Sequence, residues 1–600
     1  MIEKPVPAET YRQQLNTLDA RLQAAKRKKE RISWTRLAVI IATVLTGYQL
    51  WTQNIPLAFL AAAIGIAIFL RLVVLAGRNH EIIVQLNNLV AINQEELKVL
   101  DHQYTQLPDG LHFKPADHAY ANDLDIFGRA SIYQYVNRAS TEKGQQTLAQ
   151  WLLHPVDANI ITERQGAVKD LADKVEWRQT LQAYGQQQPL TNSMQSDIEE
   201  WMKEPALLGA KSAWHWLRYV LPAIISGALV LNLAGFITNA LLYLLIFIFL
   251  IISGLISLKI FPYYKKINKL GPQLATMANS LAWIEKAAFQ SARLKHLQES
   301  YVFNTGTASR SVRRLQQLLN RFDVRLNPLV FIPLNIFLLW DLQQALNLEK
   351  WKAEQEENIA RWFQALGEIE ALGSLANLSF NQPDWCFPTI ITEHGSFIAE
   401  DLGHPLIAPS KNVRSSYATS GTAQISLITG SNMAGKSTFL RSVGVNIVLA
   451  MMGSPVCAAQ LSVSVMQVMS SMRIADNLEE STSTFYAELK KLQSIIQAVN
   501  QKEKVFLLLD EILRGTNSLD RHTGSQALLI QLIKQDAVGM LATHDLALAS
   551  ISEPYPDNLH NYHFDVQVAG DELYFDYKLK EGVCQSMNAS ILMQKIGIKL

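Results

Sequence analysis

Gly430-Ser431-Asn432-Met433-Ala434-Gly435-Lys436-Ser437-Thr438 fits G-x-x-x-x-G-K-[ST] at every fixed position. The apolar run Ile425 to Thr429 before it predicts a buried strand, and Phe439 to Met451 after it has helical spacing. In that strand–loop–helix context, backbone N–H groups and a helix N-terminus can cradle phosphates. Downstream, Val505-Phe506-Leu507-Leu508-Leu509 runs into Asp510-Glu511, which predicts a central strand delivering two carboxylates beside the loop. The chemistry such a set performs assigns Lys436 to β/γ-phosphate charge, Ser437 and Asp510 to Mg²⁺, and Glu511 to the attacking water of ATP. A solvated acidic turn is the alternative for the two acids, and five preceding apolar residues weigh against it. Met540-Leu541-Ala542-Thr543-His544 is a further apolar run, ending in a histidine placed to sense the γ-phosphate or the lytic water.

Working outward, 600 residues exceed one core and imply several domains. The net charge of +1 excludes a globally basic nucleic-acid surface. Cys386, Cys457 and Cys584 lie far apart, with neither metal spacing nor a disulfide framework, so no disulfide partner is expected. Apolar runs at Leu37 to Leu50, Ile55 to Ala76, Tyr219 to Phe236 and Leu241 to Leu258 predict two helical hairpins in a membrane. Lys26, Arg27, Lys28, Lys29, Arg31 and Arg36 precede the first run, and Lys265, Lys266 and Lys269 follow the fourth, whereas the tips carry no Lys or Arg. Positive charge on that side places both termini and the ATP site in the cytoplasm of a multi-pass inner-membrane protein. The first apolar run starts too late for a signal peptide. The run Leu326 to Leu342 is broken by Pro328 and Pro333 and reads as a packed or interfacial helix. From residue 380 onward, short apolar runs alternate with helices, the pattern of a mostly parallel sheet.

The ordered set Gly430 to Thr438, Asp510-Glu-Ile-Leu-Arg-Gly-Thr516 and Ala542-Thr-His544 resembles the ATPase of the MutS family, the DNA mismatch-repair clamps. Ser483-Thr484-Phe485 with Glu488 resembles the family's S-T-F-x-x-E segment. Gly403-His404-Pro405 resembles a shortened G-x-H-P turn, and Tyr577 to Gly582 the final strand and turn. Phe127 to Leu171, with Gly144, Leu148 to Pro155, Arg164 and Gln165, resembles the helical core domain, and Phe363 to Leu378 the end of the lever helices. The resemblance implies an ATP- and Mg²⁺-dependent homodimer in which Ser481, Ser483 and the Asp520 region act on the partner's nucleotide. It departs from the family at Ser415-Ser416, where Asn-Asp is usual, and residues 1–110 read as hairpin and linker where mismatch-reading members carry an F-x-E wedge. ABC-type transporters share the head-to-tail logic, but the L-S-G-G-Q signature is missing.

The fold class that follows is multidomain: transmembrane helical hairpins, an all-α core and lever domain, and a C-terminal α/β P-loop ATPase, ABC-type and MutS-like. Its segments are a basic N-terminal helix (1–33), hairpin one (34–78), a linker helix (79–110), helical core (111–205), hairpin two (214–262), lever helices (263–380) and ATPase (381–600). Between Ala308 and Arg325, Arg310, Arg314, Arg321 and Arg325 fall on one helical stripe, with Val312, Leu315, Leu319 and Phe322 opposite. That stripe suits double-stranded DNA phosphates without sequence preference, anionic membrane lipids, or an ordinary solvated face. Two outputs therefore stand at this point: a membrane-tethered DNA clamp, and a membrane-signalling ATPase acting on lipid or protein partners without DNA.

Overall fold

The computed structural model describes residues 6–206, 212–303, 306–431, 434–472, 484–569 and 572–584. Two long helices, Pro7–Trp51 and Ile55–Leu100, form an antiparallel hairpin. The second opens at Asn54, whose side chain accepts from the Leu57 N–H, with Pro56 in the first turn. The expected boundaries at 33 and 78 do not exist. No proline interrupts either helix beyond its first turn, so the basic segment and the linker helix are continuous with the apolar ones.

Three helices are long and apolar enough to cross a bilayer: Ile55–Leu100, Ala213–Leu233 and Asn239–Glu285. The Leu37 to Leu50 run is not among them, because its apolar stretch is short of the roughly 20 residues needed and basic residues lie just before it. The bent pair Pro328–Leu338 and Trp340–Gln355 brings the count to four if taken as one broken span.

The helical core and levers are stitched by close backbone approaches. A Cβ on Gly144 would lie 2.4 Å from the Glu370 carboxylate, and one on Gly367 would lie 2.8 Å from the Lys143 side chain. These glycines let helix Glu142–Leu153 lie against helix Ile359–Asn381. The buried Glu370 accepts from the hydroxyls of Ser140 and Thr141 there, yet burial still pushes its carboxyl up. At the far end of the same helix, Glu96 pairs with Arg138 and accepts from Asn381, while Tyr11 donates to Asn381 at 2.7 Å. The N-terminal hairpin is thereby fastened to the lever end.

The C-terminal part holds a six-stranded sheet in the order Glu572–Glu581, Leu559–Ala569, Gln424–Thr429, Val538–Thr543, Val505–Asp510, Gln467–Ser471. All neighbours are parallel except the outer pair Leu559–Ala569 and Glu572–Glu581. Strands Val505–Asp510 and Val538–Thr543 are buried at every residue, as expected for a sheet covered on both faces. A four-stranded sheet (Thr389–Ile391, Gln460–Ser464, Phe397–Leu402, Ser415–Thr419) packs beside it. Ser415 Oγ accepts from the Leu579 N–H and so ties the two sheets together. The helical core docks on this unit through Asp123, which accepts from Ser470 Oγ at 2.7 Å and Lys491 Nζ at 2.6 Å.

Candidate functional site

Parallel pairing brings three strand ends to one edge. Thr429 lies beside Thr543, and Ala542 beside Asp510, so the phosphate loop, the two acids and His544 emerge together. Gly539 permits that spacing, since a Cβ there would meet Leu507 O at 2.3 Å. Gly430 turns at φ +136 with Phe564 O 2.8 Å from where its Cβ would be, so a side chain is excluded twice over. Gly435, at φ +104, caps helix Lys436–Met451 without a side-chain acceptor, which leaves that N-terminus available to an anion. The Tyr577 ring, on the final strand, packs over Gly435.

Lys436 is buried, and its Nζ donates to Gly430 O at 2.6 Å and Ser431 O at 3.0 Å. Burial pulls its pKa down to about 8, against the opposing pull of Glu511 and Asp510. Ser437 Oγ donates to Asp510 Oδ2 at 2.5 Å, and the other carboxylate oxygen, Oδ1, is buried with no partner. An unsatisfied buried carboxylate oxygen beside a hydroxyl fits a hard divalent cation, and this all-oxygen pair suits Mg²⁺. Among the described residues no group of three His, Cys, Asp or Glu side chains forms a metal cage. A Mg²⁺ ion held by Ser437 and Asp510 would take its remaining ligands from phosphate and water.

Glu511 sits at φ +49, with Oε1 2.6 Å from His544 Nε2 and Oε2 3.1 Å from Arg514 Nε. The bond from His544 holds its carboxyl below the usual carboxylate range, with help from the charges of His544, Arg514 and Lys436 and against its partial burial. Because an ionised Glu511 only accepts, the proton on that edge belongs to His544 Nε2. The 3.4 Å approach of Lys436 Nζ to the same nitrogen is then proximity, not a second hydrogen bond.

Of the expected site residues, Gly430, Ser431, Ala434, Gly435, Lys436, Ser437, Thr438, Asp510, Glu511 and His544 converge here. Asn432, Met433, Ser481 and Ser483 lie outside the described residues. Asp520 is exposed in the first turn of helix Ser518–Lys534, its N–H bonded to Asn517 Oδ1. On helix Ala308–Phe322 the expected apolar stripe is buried, and Arg310, Arg314 and Arg321 are exposed, with Arg314 3.0 Å from Glu354. Arg325 departs from the expectation. The helix ends at Phe322, and Arg325 turns inward to a 2.8 Å pair with Asp341, away from any DNA- or lipid-facing stripe.

Further supports were not among the expected site residues. Glu488, buried and pushed up by desolvation, accepts from the Leu513 N–H at 2.5 Å and pins the loop after the acids. In that loop Gly515 packs on Phe485, where a Cβ would come within 2.5 Å. The S-T-F-x-x-E spacing carried that signal, because Phe485 and Glu488 both grip Asp510-to-Gly515. Arg514 and the His522–Asp545 pair (2.5 Å) line a cleft of about 410 Å³ with Glu511 and His544. Arg514 lay within the quoted motif, three residues from Glu511, whereas no pattern marked His522.

Residues 426–596 match the family model described as MutS domain V. The DNA mismatch repair protein MutS of Natronomonas pharaonis is 29% identical over 268 residues, covering 43% of this chain and 31% of that protein. That of Methanococcoides burtonii is 32% identical over 240 residues, covering 38% and 26%. MutS protein homolog 4 of Homo sapiens is 32% identical over 205 residues, covering 32% and 22%. The chain spans about a third or less of the length of these curated relatives. Its C-terminal part is of the MutS family.

Proposed function

We propose that the protein is a membrane-anchored, MutS-like ATPase that uses Mg²⁺-dependent ATP hydrolysis, as a dimer, to open and close its lever helices around DNA. The observation that carries this reading is the convergence of Lys436, the Ser437–Asp510 pair and the Glu511–His544 pair at one sheet edge. Bound at Ser437 and Asp510, Mg²⁺ would supply Lewis-acid neutralisation of phosphate charge. Lys436 would exchange its two loop carbonyls for phosphate oxygens and regain full protonation beside them. Glu511, kept ionised, would accept the proton of the attacking water. His544 would hold Glu511 in place and stand beside the γ-phosphate. Apolar helices of the two hairpins, with basic residues at their cytoplasmic ends, would anchor the engine at the inner membrane.

In Glu511→Gln, ATP should still bind while turnover drops about 10²–10⁴-fold, the usual worth of a general base. Turnover at the native rate would refute the assignment.

A second output draws on Arg325 and Arg314. With Arg325 turned in, half-buried, against the buried Asp341 and Arg314 paired to Glu354, the basic stripe is weaker than its sequence suggests. That favours an ATPase signalling to membrane partners without DNA. Titrating duplex DNA at several salt concentrations separates the two: a clamp loses affinity steeply with salt, and a signalling ATPase binds none.

A further inference from the structure

The N-terminal half of helix Pro328–Leu338 is apolar and exposed, with nothing among the described residues covering it. Leu329 is 88% exposed and Val330 and Ile332 are about half exposed, and Leu326, in the turn before the helix, is 82% exposed. Its C-terminal half lies on the second hairpin, where Asn335 and Ile336 are buried and Ile336 joins Ile225 and Phe249 in one cluster. The open half thus adds to the exposed apolar surface of that hairpin, represented by Leu244 and Leu255. Eleven residues make a helix of about 16 Å, half of a hydrocarbon core of about 30 Å.

The segments that flank this helix meet each other. It breaks at Leu339 (φ +48), and the following helix departs at 76°. Arg325 just before the excursion meets Asp341 just after it at 2.8 Å. Ser257 Oγ also donates to Asp341 Oδ2, and Asn335 Nδ2 donates to Ser257 Oγ at 2.9 Å. Ser257 is two residues before Lys259, at the cytoplasmic end of its apolar run, and Phe249 is about 12 Å deeper along the same helix. A buried charge beside apolar helices persists only when paired, and here the pair closes the mouth of the excursion.

We propose that Pro328–Leu338 is a re-entrant element seated among the acyl chains of one leaflet, its mouth clasped by Arg325–Asp341, so that the lever helices are tied directly to the bilayer. The proposal rests on the membrane anchoring proposed above.

The test places a nitroxide on Leu329→Cys, on Leu244→Cys in the hairpin, and on Tyr574→Cys as a water-facing reference. Full-length protein lacking its three native cysteines is used, in phospholipid nanodiscs. Collisional access to oxygen and to a water-soluble nickel chelate is read at each site. At Leu329 the oxygen-to-nickel ratio is expected to resemble that at Leu244 and to exceed that at Tyr574 severalfold. A water-like Leu329 beside a lipid-like Leu244 overturns this proposal alone. Water-like values at both overturn the membrane reading beneath it. A Leu329 label shielded from both reagents overturns the proposal in favour of a protein partner. If the cysteine-free chain does not fold, a photoreactive benzophenone side chain at Leu329 in the native chain gives the same decision. Cross-links to lipid support the proposal, and cross-links to protein, or no cross-link at all, refute it.

Discussion

The nucleotide edge and the lever end of the helical half both bury charged groups, but they position them differently. At the nucleotide edge, backbone does the placing. Parallel strands end side by side, glycines permit close approach, Asp510 closes its strand, Glu511 and His544 each follow theirs by one position, and Lys436 follows the loop that leaves Thr429. At the lever end, side chains from remote segments meet: Tyr11 with Asn381, Glu96 with Arg138, Arg178 with Asn377. The first arrangement leaves charges under-satisfied, as at Asp510 Oδ1, and so ready for a ligand. The second satisfies them on each other and so holds elements together. Buried charge therefore marks a binding site only where its partners are missing.

The sharpest way to break that comparison is to remove one partner at each end. Arg138→Ala strands the buried Glu96 and should cost about 3–5 kcal/mol. Chemical denaturation of the full chain would show it as a lower midpoint, and an unchanged midpoint would mean that the network does not hold the hairpin. Asp510→Asn at the nucleotide edge should leave that midpoint nearly unmoved while abolishing turnover.

Next comes the phosphate loop. Gly430→Ala places a methyl against Phe564 O in a left-handed conformation, a strain of about 1–3 kcal/mol. It should appear as roughly a tenfold or greater loss in ATP affinity by calorimetry. A smaller effect follows from Lys436. Its pKa is pulled from 10.5 to about 8 in the nucleotide-free site, so the charged form is present below that value and lost as pH rises through it. Phosphate restores the proton, hence ATP binding should weaken between pH 7 and 9 with uptake of up to one proton. Glu511 runs the other way: held below the carboxylate range, it stays ionised until pH falls beneath that range, so turnover should show no acid limb near pH 5. Smallest is Glu354→Gln, which frees the exposed Arg314 and should change stability by less than about 1 kcal/mol. Tighter salt-dependent DNA binding in that variant would support the clamp.

The same contrast explains what could be read in the chain. Gly430 to Thr438, Asp510-Glu511 and His544 were legible because spacing along one strand or loop places them. The S-T-F-x-x-E segment was legible as a signature, but its work (Phe485 under Gly515, Glu488 on the Leu513 amide) appears only in three dimensions. Arg325 was misplaced because helical periodicity was extended past Phe322, where the chain tightens into a 3₁₀ turn over Asp323–Leu326. The boundaries at 33 and 78 were drawn on polarity, which changes along a helix without ending it. Pairs such as Tyr11 and Asn381 leave no local pattern at all.

The most direct test of the central claim is the rate of ATP hydrolysis by the detergent-purified full chain against Mg²⁺ concentration, for native protein and Asp510→Asn. Turnover that requires Mg²⁺ and is lost in Asp510→Asn, with the fold intact, is the predicted result. Equal turnover in the variant, or hydrolysis indifferent to Mg²⁺, would contradict the assignment of this sheet edge as the engine.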